Sequence, residues 1–193
     1  THHYIMFFTN TGRVYKLKCY EIPEASRTAR GMAIINLLQL QPGEKVTTMV
    51  HFDDFDEDRN LIMATKKGTI KKTPLSAYMN IRKTGIQAIT LRDDDELIEV
   101  KVSDCEQNVL MLTKKGQAIK FAEKDIRETG RSAMGVKGIT LRNGDEVVAM
   151  QLETQGEYIT FVSANGYGKR NRFTDFKLQN RGGKGVKCYN ITD

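Results

Sequence analysis

Short apolar runs separated by turn-forming residues extend along the whole chain, and residues 108–150 show the pattern most clearly. Val109–Lys120 is typical of two β-rich runs joined by a turn at Gly116, and residues 135–150 are typical of a second pair joined by a turn at residues 143–146. No window of about twelve residues carries the apolar spacing of a long helix. The pattern therefore predicts an all-β protein built from hairpins.

This unit recurs along the chain with a period of about fifty residues, which is typical of propeller blades and other arrays. Two sets of glycines mark the period independently. The hairpin glycines are Gly12, Gly68, Gly116 and Gly166, and the later glycines are Gly31, Gly85, Gly135 and Gly185. We predict a single domain over residues 1–193 with repeats at about 4–52, 60–104, 108–154 and 158–193, the last of them incomplete.

Bulk properties exclude several classes of protein. The chain has 193 residues, of which 39% are hydrophobic, and no apolar run approaches the roughly twenty residues of a membrane span. Cys19, Cys105 and Cys188 lie far apart and form no Cys-x-x-Cys motif, so neither a disulfide framework nor a zinc site is predicted. A reducing, intracellular compartment fits these cysteines best.

Charge favours an anionic partner only weakly by its total. Lys and Arg number 30 against 24 Asp and Glu, which gives a net charge of +6 and a pI near 9.2. The register of the cations within the repeat is more informative. Four residues after the hairpin glycines stand Lys16, Lys72, Lys120 and Arg170.

Arginines also recur in the connection that precedes each later glycine. Further cations stand beside three of them, and the full set is Arg27, Arg30, Arg82, Lys83, Arg131, Arg181 and Lys184. The acids Glu44, Glu96 and Glu146 recur instead in the second turn of the repeat. In a simple four-stranded meander alternate turns lie at opposite ends, so the arginines would be separated from the acids, whereas the Lys-Lys-Gly turns would share the acidic end. The alternative is that these cations only keep β-edges soluble.

A stripe of arginines presented by successive blades predicts duplex DNA as the ligand. Duplex DNA offers one phosphate charge per ~1.7 Å, and its binding releases counterions. Bending 20–30 base pairs costs on the order of 1–6 kcal/mol, so one basic loop is insufficient whereas a cation on every blade could hold a wrap.

Other chemistry is not predicted. The acidic run at residues 53–58 has the spacing of a calcium loop at Asp54, Asp56 and Asp58, but Arg59 and Thr65 stand where that loop needs Gly and Glu. His2, His3 and His51 show no ligand spacing, and no nucleophile motif is present. We therefore expect no catalytic residue, no metal and no cofactor in this chain.

The stretch Gln179-Asn-Arg-Gly-Gly-Lys-Gly185 resembles the box motif of the DNA gyrase A C-terminal domain. Six of seven positions match (Gln179, Arg181, Gly182, Gly183, Lys184 and Gly185), and Asn180 departs where the family has a cation. Residues 11–15, 20–27, 30–31, 36–38 and 165–170 resemble the same family in the same order.

The resemblance implies a β-pinwheel, a propeller-like disc of four-stranded blades joined by strand exchange, with about four blades here and the box loops on the outer rim. It also implies a domain that is not itself catalytic, that wraps double-stranded DNA and that supports ATP-dependent negative supercoiling. The implied partners are the rest of the gyrase A protein and the gyrase B protein in an assembly of two of each, with ATP and Mg²⁺ bound elsewhere in it. The implied location is the bacterial cytoplasm at the nucleoid.

Two alternatives stay open, the related C-terminal domain of topoisomerase IV and a protein-binding propeller. The chain has no Trp, so the Trp-Asp repeat of the best-known protein-binding propellers is absent. In the family, the box precedes the Gly12–Tyr15 hairpin, whereas here the matching stretch lies in the fourth repeat. We therefore expect the family's first blade to be missing or only partly present in this fragment.

Overall fold

A computed structural model describes residues 2–55, 58–104 and 106–191 of the chain. Asp56, Glu57 and Cys105 of the stretches discussed above lie outside the described residues. Within them the structure is all-β, and its helices are 3₁₀ segments of three or four residues. The strands are β1 (Tyr4–Thr9), β2 (Arg13–Lys18), β3 (Val46–Phe52), β4 (Asn60–Thr65), β5 (Thr69–Pro74), β6 (Ile86–Gln87), β7 (Leu97–Ser103), β8 (Asn108–Thr113), β9 (Gln117–Ala122), β10 (Val136–Lys137), β11 (Val147–Leu152), β12 (Tyr158–Val162), β13 (Gly168–Arg172) and β14 (Val186–Lys187).

The strands form antiparallel sheets that combine neighbouring repeats. The first blade has the order β3-β1-β2-β6, the second β7-β4-β5-β10 and the third β11-β8-β9-β14, while the fourth contains β12 and β13. In each of the first three blades the two-residue strand at one edge belongs to the following repeat. This is the strand exchange of a β-pinwheel, and it confirms the predicted fold class.

The second hairpin that the pattern predicted within each repeat does not form, and the simple meander is therefore wrong. Residues 136–137 pair with Thr69 and Ile70 of the preceding repeat rather than with β11 of their own. The corresponding part of the first repeat forms a 3₁₀ helix at Ile34–Asn36. The apolar run in each later repeat is thus used to complete the neighbouring sheet.

The hairpin glycines join consecutive repeats. The carbonyl oxygen of Gly116 accepts hydrogen bonds from the backbone N–H groups of Cys188 (2.9 Å) and Tyr189 (3.3 Å) of the next repeat. Gly12 and Gly68 accept equivalent pairs from the second and third repeats. All three have positive φ, and a Cβ at Gly116 would overlap the carbonyl oxygen of Tyr189. A residue with a side chain would oppose both the turn and the joint.

Most of the hydrophobic core lies between blades, although a smaller cluster of Phe7, Tyr15 and Leu38 lies within the first repeat. One cluster joins β1 residues such as Phe8 to Leu61 and Met63 of β4, and further clusters fill the next two interfaces. All six residues of β4 are buried, because this strand has blades on both sides. Such strands show continuous apolar runs rather than alternation.

The edges of each blade have different surroundings. Strand β7 contacts both β3 and β11, and these three strands define the inner side of the disc. The exchanged strands β6, β10 and β14 lie at the opposite edges of their sheets. We call this outer edge the rim. None of the helices in the described ranges is long and apolar enough to cross a membrane.

Substituting Gly116 by Ala tests the joint between repeats, with Gly166 as its matched control. Both glycines have positive φ, but no atom lies within 4 Å of a Cβ built at Gly166. Ala in that conformation costs roughly 1–2 kcal/mol at either site. At Gly116 the overlap with Tyr189 adds about 1–3 kcal/mol. Chemical denaturation of the two variants should show this difference, and equal losses would contradict the joint.

Candidate nucleic-acid interface

The arginine-bearing connections of the second to fourth repeats lie on the rim, and we call residues 79–85, 127–135 and 177–185 the rim connections. Backbone hydrogen bonds fasten the latter two to the preceding blade. The N–H of Thr129 donates to the carbonyl of Lys72 at 2.9 Å, and the N–H of Gln179 donates to the carbonyl of Lys120 at 2.7 Å. Each of these connections therefore runs beside β5 or β9, the strand of the preceding blade that also pairs with the exchanged strand.

Successive rim connections are also linked to the segments that follow the exchanged strands. Thr90 donates its N–H to the carbonyl of Ala133 (3.3 Å) and its hydroxyl to the carbonyl of Ser132 (2.8 Å). One repeat later, Thr140 donates its N–H to Gly183 (2.8 Å) and its hydroxyl to Gly182 (2.7 Å). The second, third and fourth repeats thus contribute to one continuous track along the rim.

Arginines of neighbouring repeats face a shared groove on this track. Arg82 of the second repeat and Arg131 of the third both line an open groove of about 740 Å³, together with Gln87 of the exchanged strand β6. Both arginines are exposed. Two positive charges from different repeats therefore border the same concave surface.

The rim arginines are not neutralised by acids. Arg181 donates Nε to the carbonyl of Asp125 at 2.9 Å and Nη1 to the carbonyl of Lys137 at 2.6 Å, and Arg131 donates to the carbonyl of Ala77 at 3.5 Å. Within residues 2–55, 58–104 and 106–191, the salt bridges involve other cations and leave the predicted rim arginines unpaired with carboxylates. Backbone carbonyls hold these guanidinium groups without cancelling their charge.

The first repeat presents its arginines differently. Arg27 and Arg30 are exposed in a segment whose residues 23–36 are all exposed. Gly31 has positive φ, but no atom lies within 4 Å of a Cβ built there. At the equivalent Gly85 that Cβ would lie 2.7 Å from the ring of Tyr15 in the preceding blade. The cations of the first repeat are therefore accessible without the packing that supports the later connections.

The box-like stretch lies on the third blade. The N–H of Gly183 closes a turn onto the carbonyl of Asn180 at 3.4 Å, and Gly182 and Gly185 have positive φ. A Cβ at Gly185 would lie 2.6 Å from the carbonyl oxygen of Ala118 in β9. Its glycines therefore permit close packing on the sheet, while Lys184, like Lys83 of the second repeat, remains exposed.

The cations that follow the hairpin glycines lie in varied environments. Lys120 is buried, and its Nζ donates to the carbonyl of Phe173 at 3.2 Å and lies 5.1 Å from the centre of that ring. Lys16 donates to the carbonyl of Met79 and lies over the ring of Phe55. Arg170 is exposed, with its guanidinium 4.9 Å from the centre of the Tyr158 ring.

Lys72, the remaining member of that set, forms a buried ion pair between repeats. Its Nζ lies 3.0 Å from Oε1 of Glu123, whose side chain is fully buried. Ser103 donates its hydroxyl to the other carboxylate oxygen, and the side-chain amide of Gln107 donates to Ser103 at 2.7 Å. A pair enclosed in this way is a structural contact, and its lysine has little reach toward a ligand.

The Lys-Lys-Gly turns share the acidic end of the blade, as expected. The N–H of Lys115 donates to Asp145 at 2.9 Å, and the N–H of Lys67 makes the same contact with Asp95 at 2.9 Å. Nζ of Lys114 lies 3.1 Å from Glu146. Glu146 compensates Lys66 and Lys114, while the amines of Lys67 and Lys115 donate to the backbone carbonyls of Asp93 and Asn143. The acids that receive the backbone bonds precede Glu96 and Glu146 by one residue.

Glu44 is not a surface acid, because it is almost fully buried beside the first hairpin. Its carboxylate accepts hydrogen bonds from the hydroxyls of Thr9 and Tyr15, each at 2.7 Å, and from the N–H of Gln41 at 2.7 Å. Burial alone raises the pKa of this carboxyl, but the hydrogen bonds outweigh burial and lower the pKa overall.

Two cations that the charge register did not single out hold rim connections in place. Nη2 of Arg13 donates to the carbonyls of Thr84 (2.7 Å) and Gly85 (3.3 Å). Lys71 is completely buried, and its Nζ donates to the carbonyl of Ala88 at 2.7 Å and to that of Arg131. Burial, and secondarily the charge of Arg131, lowers the pKa of Lys71 to about 8.

The sequence-based selection also omitted exposed cations on the rim. Lys137 and Lys187 stand on the exchanged strands two residues after Gly135 and Gly185, and both are exposed. Arg127 and Lys177 form another exposed pair, each eight residues before those glycines. Alignment on the later glycines would have found both pairs.

Exchanged outer strands, blades that bury most of their cores against each other and a cation-bearing rim define a β-pinwheel. The chain matches the family model described as "DNA gyrase C-terminal domain, beta-propeller" over residues 3–52, 59–104, 107–152 and 157–193. It belongs to that family.

Individual relatives agree with this assignment. The chain is 56% identical over 193 residues to the DNA gyrase A protein of Clostridium acetobutylicum, covering 100% of this chain but 23% of that protein. A solved DNA gyrase A C-terminal domain superposes with a TM-score of 0.81 at 30% identity, covering 96% of this chain and 60% of that one. The C-terminal domain of DNA topoisomerase IV gives 0.87 at 28% identity, covering 96% and 58%.

Replacing Lys71 by Met tests the buried amine beneath the Arg131 connection. Between pH 8 and 10.5 the folded amine is largely neutral while the unfolded amine still binds a proton, so this group's contribution to stability rises with pH. The rise is at most about 3 kcal/mol. The unfolding free energy of wild type should increase relative to Lys71→Met across this window, with the exposed Lys115→Met as control. A constant difference would contradict the assignment.

Proposed function

We propose that this chain binds duplex DNA along the rim, without sequence specificity, and bends it around the disc. The observation that carries the proposal is the shared groove lined by Arg82 and Arg131, in which cations of successive repeats lie together without carboxylate partners. The rim connections extend the same surface toward Arg181 through the hydrogen bonds of Thr140. A curved track of this kind suits a phosphate backbone.

The residue types favour contacts with phosphate over contacts with bases. A guanidinium group forks onto phosphate oxygens, and glycine-rich loops let backbone N–H groups approach an anion. The rim offers no helix or long ribbon to enter a major groove among its described residues. Binding energy would therefore come from charge and counterion release, with each repeat offsetting part of the bending cost.

The proposed contact set follows the exposure of the side chains. It contains Arg27, Arg30, Arg82, Lys83, Arg131, Lys184 and the half-buried Arg181, with Arg127, Lys137, Lys177 and Lys187 added and Arg170 beyond the last complete blade. Lys72 and Lys120 are left out because they are buried, and Lys16 because its Nζ already serves Met79 and neighbouring aromatic rings. Cation–π contacts and buried ion pairs give these three a structural use.

Family membership supports a place for the chain within the DNA gyrase A protein. We propose that it wraps DNA in a positive sense for negative supercoiling, acting with the rest of gyrase A and with the gyrase B protein in the bacterial cytoplasm. The chain spans 23% of the length of the Clostridium acetobutylicum relative, so this activity belongs to the larger assembly. The structural likeness to topoisomerase IV favours a related wrapping domain as the second candidate.

We propose that the ATP-dependent chemistry of supercoiling takes place in other parts of that assembly. One common class of ATP site, the P-loop, places a glycine-rich loop at the N-terminus of a helix. The described ranges of this chain contain only 3₁₀ segments of three or four residues, so they do not fit an ATP site of that class. We propose that ATP and Mg²⁺ act elsewhere and that this chain contributes binding alone.

Changing Arg27, Arg82, Arg131 and Arg181 together to Ala should weaken binding to long linear duplex DNA. Each lost phosphate contact reduces the slope of log K against log salt by about 0.9, so four contacts reduce it by roughly 3 to 4. Salt titrations of DNA binding by wild type and variant measure this change. Thermal unfolding should remain close to that of wild type, apart from the loss of the Arg181 contacts.

The charge-matched control changes Lys66, Lys67, Lys114 and Lys115 to Ala, which removes an equal number of positive charges, four, from the acidic end. It should leave most of the salt slope unchanged, because these lysines lie at the acidic end rather than on the rim, and Lys66 and Lys114 are already paired with Glu146. Equal losses of salt slope in the two variants would mean that DNA binding depends on the net charge of the chain and not on the rim. Unchanged affinity in the arginine variant would remove the rim from DNA binding.

A measurement of DNA linking number distinguishes wrapping from simple binding. Nicked circular DNA ligated in the presence of the chain should yield topoisomers with a small positive shift in linking number if the DNA is wrapped in a positive sense. The arginine variant should lose the shift, and the lysine control should keep it. Tight binding of linear DNA with no shift in linking number would leave binding in place and refute the wrap.

A further inference from the structure

Two histidines and an aspartate meet at the end of the first blade opposite its hairpin. In the β1–β3 pairing Tyr4 faces Phe52 and Ile5 faces His51. Extending that register places His3 opposite Asp53. Because facing residues and alternate residues of a strand share one side of a sheet, His3, His51 and Asp53 all project from the same side. The sheet therefore fixes three potential ligands in one place.

Their ligand atoms converge. Nδ1 of His3 lies 3.0 Å from Nε2 of His51 and 3.0 Å from Oδ1 of Asp53. All three ligand atoms lie within 4.8 Å of one another. A single proton on Nδ1 of His3 can be donated to only one of its two neighbours. In a tetrahedral site with metal–ligand bonds of about 2.1 Å, the ligand atoms are roughly 3.4 Å apart. The observed cluster is close to that arrangement.

We propose that His3, His51 and Asp53 bind a divalent transition-metal ion of the zinc class. Imidazole nitrogens with one carboxylate suit Zn²⁺, Co²⁺ or Ni²⁺, whereas Mg²⁺ and Ca²⁺ prefer oxygen ligands alone. Side-chain exposures of 42% for His3 and 71% for Asp53 leave room for water at the fourth position. Among the described residues, this is the group of His, Cys, Asp and Glu side chains whose ligand atoms meet in this way.

The ion would act as a clamp between the start of β1 and the end of β3. His3 also accepts, through its carbonyl, the N–H of Cys19 after β2 at 2.9 Å. A metal bound only by the folded arrangement stabilises it by mass action. The site lies on β3, the inner strand of its blade, so it is separate from the rim proposed to bind DNA.

We thus depart from the expectation that the histidines form no metal ligand set. His3 and His51 are 48 residues apart and have no recognisable linear spacing. They meet only because of the register between β1 and β3. Asp53 belongs to the acidic run that superficially has the spacing of a calcium loop, but the structure pairs it with imidazoles instead.

The test titrates the 193-residue chain with Zn²⁺ in a calorimeter and with Co²⁺ in an absorption spectrometer. We expect one ion per chain, a visible Co²⁺ spectrum of tetrahedral type, a higher melting temperature with Zn²⁺, and no response to Mg²⁺ or Ca²⁺. His51→Ala and Asp53→Asn should each weaken Zn²⁺ binding by roughly tenfold or more, since loss of outer-shell partners alone costs 10–100-fold.

His2→Ala is the matched control, because His2 precedes the site by one residue and its ring instead lies 5.8 Å from that of Tyr20. It should bind Zn²⁺ as wild type does. Each variant is first compared with wild type by circular dichroism without metal, and Asp53→Asn carries the test if His51→Ala does not fold. Equal Zn²⁺ affinity in the wild type and both ligand variants would overturn the proposal, as would failure of the wild type to bind Zn²⁺ or Co²⁺.

Discussion

Each hairpin glycine of the first three repeats accepts two backbone hydrogen bonds from the following repeat, and the rest of the structure depends on this contact. It requires positive φ and the absence of a side chain at Gly12, Gly68 and Gly116. It also fixes where the next repeat crosses the outer edge of the sheet, and hence where the exchanged strand and its rim connection lie. The geometry of the interface thus follows from backbone contacts between repeats rather than from the basic residues themselves.

The cations serve different purposes according to their depth. Lys71 and Lys72 are buried, one beneath a rim connection and the other against Glu123, so both are used to hold repeats together. In the Lys-Lys-Gly turns, Lys66 and Lys114 are paired with Glu146. The rim arginines remain available. The net charge of +6 therefore says little about function, whereas the position of each cation in the fold indicates its role.

Much of the fold could be predicted from the sequence, because glycines needed for positive φ and runs buried on both faces leave a strong periodic signal. Strand exchange could not be derived from the local pattern, since the stretch after Gly135 is equally typical of a strand of its own blade. The resemblance implied it instead. The rim arginines were found by their register, but the register that selected Lys72 could not show that this lysine pairs with Glu123 of another repeat. His3 and His51 were not recognised as neighbours for a similar reason, since only the pairing of β1 with β3 brings them together.

Because of strand exchange, the fifty-residue sequence repeat does not coincide with one four-stranded blade. One fifty-residue segment carries three strands of its own blade and the exchanged strand of the blade before it. Its own sheet has an open edge that the exchanged strand of the next segment fills. Duplication of such a segment lengthens the array, and every blade except the last still receives an exchanged strand from the segment that follows it. The array can therefore grow or shrink in evolution by whole steps, and the length of DNA it could bend changes by the same steps.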